Sequence, residues 1–258
     1  MSDRSDFEEA KYEAAVGNRV LVELGLATGI RAALGHCSMR VPGHPDRFVV
    51  KGRGYRVDTL GRMRPEDLVV CDLDGRWVDG PPYSTQCSEV KIHSSIYTAR
   101  PDVVSVTHVH PDYTVLMTVF GKEIKPMSQE GANMVMKPMP LLRQTKTITT
   151  DEEGKQVAEL LGNGESVLLL GHGAVTASTR SVQGSVMSMA QLEHQARLNY
   201  LAMSVAGRDH PFIPPELATA IGTGGRPPHI AEREAQVGGE RGGGGLWAYF
   251  EEVVGSSM

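Results

Sequence analysis

The segment THVHP, residues 107–111, closes an alternating apolar run over residues 103–110 with two histidines and then a proline. Residues two apart in a strand leave the same face of a sheet, roughly 6 to 7 Å from one another. His108 and His110 therefore point the same way. Pro111 has no N–H for a ladder, so the strand is expected to end there with both imidazoles at its mouth. A second apolar strand, residues 166–170, stops at Gly171 and Gly173 with His172 between them. Glycine on both sides permits a tight turn and leaves that imidazole unobstructed. Three neutral imidazoles with an open position make a catalytic rather than a structural zinc arrangement. Such a site polarises an oxygen or lowers the pKa of a bound water to about 7.

Glu89, in TQCSEVKIHSSIY, lies on a helix that feeds the histidine strand. Its carboxylate is placed either to ligate the metal or to move a proton. On the residues alone, an H-x-H pair is common by chance and Glu89 reads equally as a solvated helix glutamate. His93 shares the Glu89 helix face and reads as a packed or capping histidine rather than a ligand.

The rest of the chain alternates helix and strand. Residues 7–33 read as a helix or two, broken at Gly35, and residues 40–79 as an antiparallel meander with a hairpin turn at Asp74 and Gly75. A helix is expected over 84–99, with Ser84 or Thr85 as its N-cap and Pro101 beyond its end. Residues 126–140 are irregular, and 151–161 form a capped amphipathic helix. A long helix over 181–206 carries Val182, Met187, Leu192, Ala196 and Tyr200 at core-packing spacing. Beyond Pro211, glycine runs flank a charged stretch before the closing segment LWAYFEEVV. The reading is a catalytic domain over residues 1–210 and a Gly/Pro-rich extension over 211–258. Its terminal helix, on a mobile tether, docks on its own domain or on a neighbour.

The net charge of −5 offers no general attraction to nucleic acid or anionic lipid, so an anionic ligand must be met by a local basic cluster. Lys51, Arg53 and Arg56 in KGRGYR form one, unless that loop is simply a solvated hairpin. No G-K-[ST] follows its GRG, which argues against nucleotide binding. The polar, acidic start and the lack of an 18-residue apolar run point to a cytoplasmic protein without a membrane partner. Cys37, Cys71 and Cys87 lack C-x-x-C spacing and read as free, buried thiols.

Taken in order, S-E-x-x-x-H from Ser88, R-P-D-V-x-x-V-x-H-x-H-P from Arg100 and G-H-G-A from Gly171, with a long helix following, resemble the class II aldolase and adducin family over about residues 12–207. The resemblance implies an α/β fold of three α/β/α layers, with a central mainly antiparallel sheet flanked by helices. It also implies a homotetramer with active sites at subunit interfaces. One zinc, manganese or similar divalent ion per chain would be held by His108, His110 and His172, with Glu89 as ligand or acid/base group. Trp247 and Tyr249 then either close a neighbour's site or serve only to dock the terminal helix.

The chain departs from the sugar-phosphate members at three places. Their G-N-x-S is GHCSMR here, with His36 in the asparagine position; a small T-G loop is KGRGYR; and Cys87 replaces the first serine of S-S-E, leaving Ser88 and Glu89. Phosphate recognition loses its usual groups. Lys51, Arg53 and Arg56, with Ser88, are read as meeting carboxylates, since a guanidinium offers a planar fork that a hydroxyl does not. The G-H-x-S-x-R form is similar to the family's decarboxylase branch, which acts on hydroxylated aromatic or pyridine dicarboxylates.

A metal-dependent carbon–carbon lyase is therefore expected, acting on a small anionic hydroxylated carboxylate. The metal absorbs negative charge as carbon dioxide leaves, and an acid protonates the resulting carbanion or enolate. Glu89 ranks first for that proton, then His36 and Tyr113. Gln129 and Glu130 either line the pocket or stabilise their loop. Retro-aldol cleavage of a sugar-like substrate is the alternative, with isomerase or hydro-lyase chemistry behind it. A non-catalytic adducin-like module is disfavoured because all four candidate ligands are present.

Overall fold

In the computed structural model, which describes residues 5–221, 227–237 and 244–255, helix α1 (Asp6–Glu23) starts on a reciprocal cap. The Glu8 N–H donates to Ser5 Oγ and the Ser5 N–H to the Glu8 carboxylate, which satisfies two otherwise orphaned donors. The stretch read as a helix or two over residues 7–33 divides at Leu24, because Gly25 takes a left-handed φ of 74°, and only a 3-10 turn over Gly29–Arg31 follows.

Strands β1 (His36–Arg40), β2 (Arg47–Arg53), β3 (Leu68–Asp72) and β4 (Trp77–Asp79) follow as an antiparallel meander. The β3 to β4 hairpin turns at Asp74 and Gly75, where Gly75 has φ 75°. The helix predicted over 84–99 divides in two. Thr85–Gln86 form β5, pairing with Gly52 and Arg53 of β2, and helix α2 (Val90–Ala99) begins only after Glu89, its N-cap residue. Ser84 does not cap it; its hydroxyl closes a turn on the Pro81 carbonyl.

Strand β6 (Ser105–Val109) runs into helix α3 (Asp112–Phe120), with Pro111 as N-cap. The sequence reading did not anticipate α3. After β7 (Leu141–Leu142), helix α4 (Asp151–Leu161) carries a Thr150/Glu153 capping box. Strands β8 (Ser166–Leu169) and β9 (Gly173–Ser178) form a hairpin with His172 in its turn, and helix α5 (Val182–Ala206) is capped by Ser181. Strand β9 was also unanticipated. Short helices α6 (Pro215–Ala218) and α7 (Pro228–Val237) precede α8 (Gly244–Gly255). The glycine runs read as a tether fall partly on 222–226 and 238–243, outside the described residues.

The strands join in the order β4-β3-β2-β1-β6-β9-β8-β7, with β5 beside β2, and among these pairs only β7 with β8 is parallel. Strand alternation sends Val106, Val167 and Leu169 to one face, where they pack with Ile92, Ile96 and Tyr97 of α2 and Val157 and Leu161 of α4. The opposite face, through Val109 and Leu168, packs with Val20 of α1, Met117 of α3, and Val186 and Leu192 of α5. The result is the three-layer α/β/α arrangement the resemblance implies. No helix among the described residues is long and apolar enough to cross a membrane.

Helix α8 docks on α1 of its own chain. Trp247, Phe250 and Val254 are buried in the α1 and α5 cluster, Tyr12 donates to Glu251 at 2.9 Å, and Arg19 Nη1 donates to the Val254 carbonyl at 2.6 Å. Tyr249 stays 54 % exposed. Trp247 is thus spent on intrachain packing. Trp247→Ala should cost about 3 kcal/mol of unfolding free energy, measured from urea denaturation; an unchanged midpoint would mean that α8 adds nothing to the core.

Candidate metal centre

The centre lies where β6, the β8 to β9 turn and the start of α2 meet. Strand β6 pairs with β1 on one side, setting His36 opposite His108, and with β9 on the other, setting Val175 opposite His108. Two glycines permit this approach: a Cβ at Gly173 would collide with the Val109 carbonyl, and one at Gly35 with the His108 carbonyl. One ligand atom from each of Glu89, His108, His110 and His172 lies within 4.8 Å of the others.

His108 is fully buried, and its Nδ1 lies 2.9 Å from the Ala174 carbonyl. A carbonyl only accepts, so Nδ1 bears the proton and Nε2 of the neutral ring presents a lone pair. That lone pair faces Nε2 of His110 at 3.0 Å and Glu89 Oε2 at 3.3 Å. Glu89 Oε1 accepts the Ile148 N–H at 3.0 Å and lies 3.4 Å from His172 Nε2. His110 stands just past the strand end, so its ring centroid is 4.9 Å from that of His108, closer than the spacing expected within a strand.

Burial alone would push the Glu89 carboxyl up, but His108 and then His172 hold it well below the usual carboxylate range. Burial, followed by the charges of His108 and His172, pushes His110 down to about 3. The Glu89 carboxyl is thereby held ionised and the His110 ring neutral, the states in which these two groups ligate. A desolvated carboxylate costs several kcal/mol unless a cation offsets it. Three imidazoles and one carboxylate converging on a point fit a divalent ion of the zinc or manganese type.

A buried hydrogen-bonded chain runs inward from this centre. His36 Nδ1 and His93 Nε2 are 2.6 Å apart, His93 Nδ1 and Ser38 Oγ 2.6 Å, and Ser38 Oγ and the Tyr97 hydroxyl 2.7 Å. Burial first, then His108, takes His93 down to about 3, and burial, then His93, pushes His36 well below its ordinary value. His93 is fully buried, held between His36 and Ser38.

The outer residues disperse. Lys51 is buried, its ammonium donating to the Ala33 carbonyl and paired with Asp58. Arg53, with 45 % of its side chain exposed, donates from Nη1 to Ser88 Oγ at 2.8 Å, and Arg56 is exposed. The Tyr113 ring packs on Tyr200 at 5.4 Å on the α3 and α5 side. Gln129 and Glu130 are exposed on a loop whose Ser128 and Glu130 carbonyls are held by Gln195 Nε2 of α5.

Residues 13–200 match the family model described as the Class II Aldolase and Adducin N-terminal domain. The chain belongs to this family. It is 29% identical over 214 residues to a 3,4-dihydroxyphthalate decarboxylase of Rhodococcus jostii (strain RHA1), covering 80% of this chain and 85% of that one. A protein of the same name from Arthrobacter keyseri is 28% identical over 207 residues, covering 77% and 80%. Among solved structures, an L-fuculose 1-phosphate aldolase from Glaciozyma antarctica PI12 superposes with a TM-score of 0.74 at 21% identity, covering 96% of this chain and 89% of that one. That likeness is one of fold.

Two supports of this class II aldolase family centre escaped the sequence reading because they join residues distant in the chain. Arg31 donates to the His110 carbonyl at 2.8 Å and forks onto Asp112. Glu193 of α5 accepts the Tyr113 and Thr114 N–H groups at the start of α3. Both hold the junction that carries His110. The Arg31 and Asp112 pair is visible in sequence only as two unremarkable charges.

His108→Ala should lose bound metal, by elemental analysis, while keeping its far-ultraviolet circular dichroism; full metal occupancy would remove His108 from the ligand set. A second expectation concerns pH. Unfolded histidine titrates near 6.5, whereas folded His93 stays neutral down to about 3. The unfolded state binds more protons between those values, so stability falls as pH drops through that window. Chelator-treated protein should show a urea midpoint that falls there, and His93→Gln should flatten the fall.

Proposed function

We propose that this chain is a metal-dependent carboxy-lyase acting on a small hydroxylated aromatic or heteroaromatic carboxylate. The observation that carries the reading is the partly exposed Arg53 guanidinium, 2.8 Å from Ser88, the residue before Glu89, and 3.6 Å from Asp58 through Nε, a cation next to the ligand cluster whose remaining donors would meet a substrate carboxylate. The decarboxylase relatives, similar over most of the chain, support it. A divalent cation held by His108, His110, His172 and Glu89 supplies Lewis-acid stabilisation of the negative charge that develops as the carbon–carbon bond breaks.

This chain's residues orient the substrate and manage its protons. Arg53 next to a departing carboxylate would stabilise the charge that the reaction removes, so we assign it to a carboxylate that stays; the substrate then has two. Glu89, one oxygen pinned by the Ile148 N–H, takes up a substrate hydroxyl proton and returns it to carbon. His36, whose Nδ1 is engaged by His93, keeps Nε2 as a second proton-carrying atom. Tyr113, with its ring on Tyr200, ranks behind both. Lys51 acts indirectly in this scheme, by neutralising Asp58.

The proposal includes a catalytic unit over residues 1–210, an extension over 211–258 and a homotetramer with interfacial sites. Ile30, 96 % exposed beside Arg31, and Val205, 91 % exposed on α5, are apolar side chains open to such contacts. Light scattering tests the assembly.

The reaction is tested by carbon dioxide release from hydroxylated aromatic and pyridine dicarboxylates with Mn2+ or Zn2+. Aldehyde from a hydroxy-carbonyl substrate, without carbon dioxide, would assign retro-aldol cleavage instead. Arg53→Ala should raise KM by roughly 10- to 100-fold, as expected for a lost charged hydrogen bond, with little change in kcat. Glu89→Gln should lower kcat by about 100-fold or more. Equal effects of Arg53→Ala on carboxylated and uncharged substrates would contradict the assignment of Arg53.

A further inference from the structure

The two departures at His36 and Cys87, distant in sequence, meet in space beside His93. One ligand atom from each of these three residues lies within 4.8 Å of the others, and all three are buried. We propose that His36, Cys87 and His93 form a second site, for a thiophilic divalent cation such as Zn2+ or Cd2+, adjoining the first centre.

The geometry repeats what marks the first centre. Two imidazole nitrogens, His36 Nδ1 and His93 Nε2, face each other at 2.6 Å, and the far nitrogen of one ring is held from behind, here by Ser38 Oγ at 2.6 Å from His93 Nδ1. Ligating histidines are oriented in this way by a partner on the other nitrogen. Bonds of about 2.0 Å to nitrogen and 2.3 Å to sulfur in a tetrahedral arrangement require the two nitrogens, 2.6 Å apart, to part by about 0.7 Å, which small rotations of the two rings supply. Sulfur is the donor that separates this site from the first, which offers only nitrogen and oxygen; soft thiolate favours zinc and cadmium over manganese or magnesium.

Charge and access both permit the ion. The ammonium of Lys51, the nearby cation, is paired with Asp58. Cys87, 3 % exposed, borders a cleft of about 1010 Å³ between α2, α4 and the β3 to β4 hairpin, together with Gln86 and Ser94, and an ion would approach from that side. An ion there would be held by the Cys87 sulfur together with the two facing imidazole nitrogens. An ion there takes up His36 and stands against the first centre. Excess zinc should therefore inhibit, while excess manganese should not.

The test is titration of the full-length protein, already loaded with one equivalent of Mn2+, with Cd2+ under conditions in which Mn2+ is retained. A second equivalent should bind with a thiolate-to-metal charge-transfer band in the ultraviolet. Cys87→Ser should abolish the band and the second equivalent while leaving Mn2+ bound. Cys71→Ser should keep both, and His108→Ala should lose Mn2+ but keep the band. No second equivalent in the wild type, or a band that survives Cys87→Ser, overturns the proposal. These readouts do not depend on turnover, so they stand apart from the decarboxylase assignment. Should Cys87→Ser misfold, alkylation of Cys87 in the native protein, mapped by mass spectrometry and blocked by prior Cd2+, gives the same decision; alkylation unaffected by Cd2+ counts against the site.

Discussion

The hydrogen bond from His108 Nδ1 to the Ala174 carbonyl is the interaction on which the centre depends. It decides the tautomer of a fully buried imidazole and thereby which nitrogen carries the lone pair. It also ties β6 to β9 at the point where β9 leaves the turn holding His172. The other ligands are placed relative to it: His110 by the end of β6, Glu89 by the start of α2, and His172 by a turn between glycines. A sheet whose register slipped by one residue would turn His108 to the opposite face, toward α5.

Around this point the molecule spends much of its buried polarity on holding nitrogen and oxygen atoms still. Arg31 and Glu193 clamp the junction between β6 and α3 from two directions, the Ile148 N–H fixes one oxygen of Glu89, and Ser38 and Tyr97 back His93. Each bond satisfies a group that would otherwise cost about 1 to 3 kcal/mol to bury. Together they exchange flexibility for a preorganised set of donors. The chemistry is concentrated at one end of the central strands, where the sheet yields to loops and substrate can reach a rigid frame.

Some of this was legible in the sequence because the signals are local. Pro111 ends a strand by lacking an N–H, the glycines beside His172 announce a turn, and the 3.6-residue periods of α4 and α5 with their caps name the helices. The readings that needed correction also have local causes. Gly25 stops α1 through one left-handed residue inside an otherwise helical pattern. Thr85 and Gln86, which resemble a helix cap, are drawn into strand by pairing with Gly52 and Arg53, and that tertiary demand outweighs their weak intrinsic preference. Strand β9 and helix α3 were missed because a short apolar run after a turn has no period long enough to declare itself.

By itself, then, the sequence determined which residues have ligand chemistry, since that follows from residue type and spacing along a single element, while the family came from the order of its motifs and the three-layer class from what that resemblance implies. Only the tertiary structure decided which of those residues meet. It turned Lys51 inward onto Asp58 and left Arg53 at the rim, spent Trp247 on α1, and brought Cys87 beside His36 and His93. Such contacts join positions tens to hundreds of residues apart, and their geometry is set by strand register and helix packing, quantities that no local pattern of residues encodes.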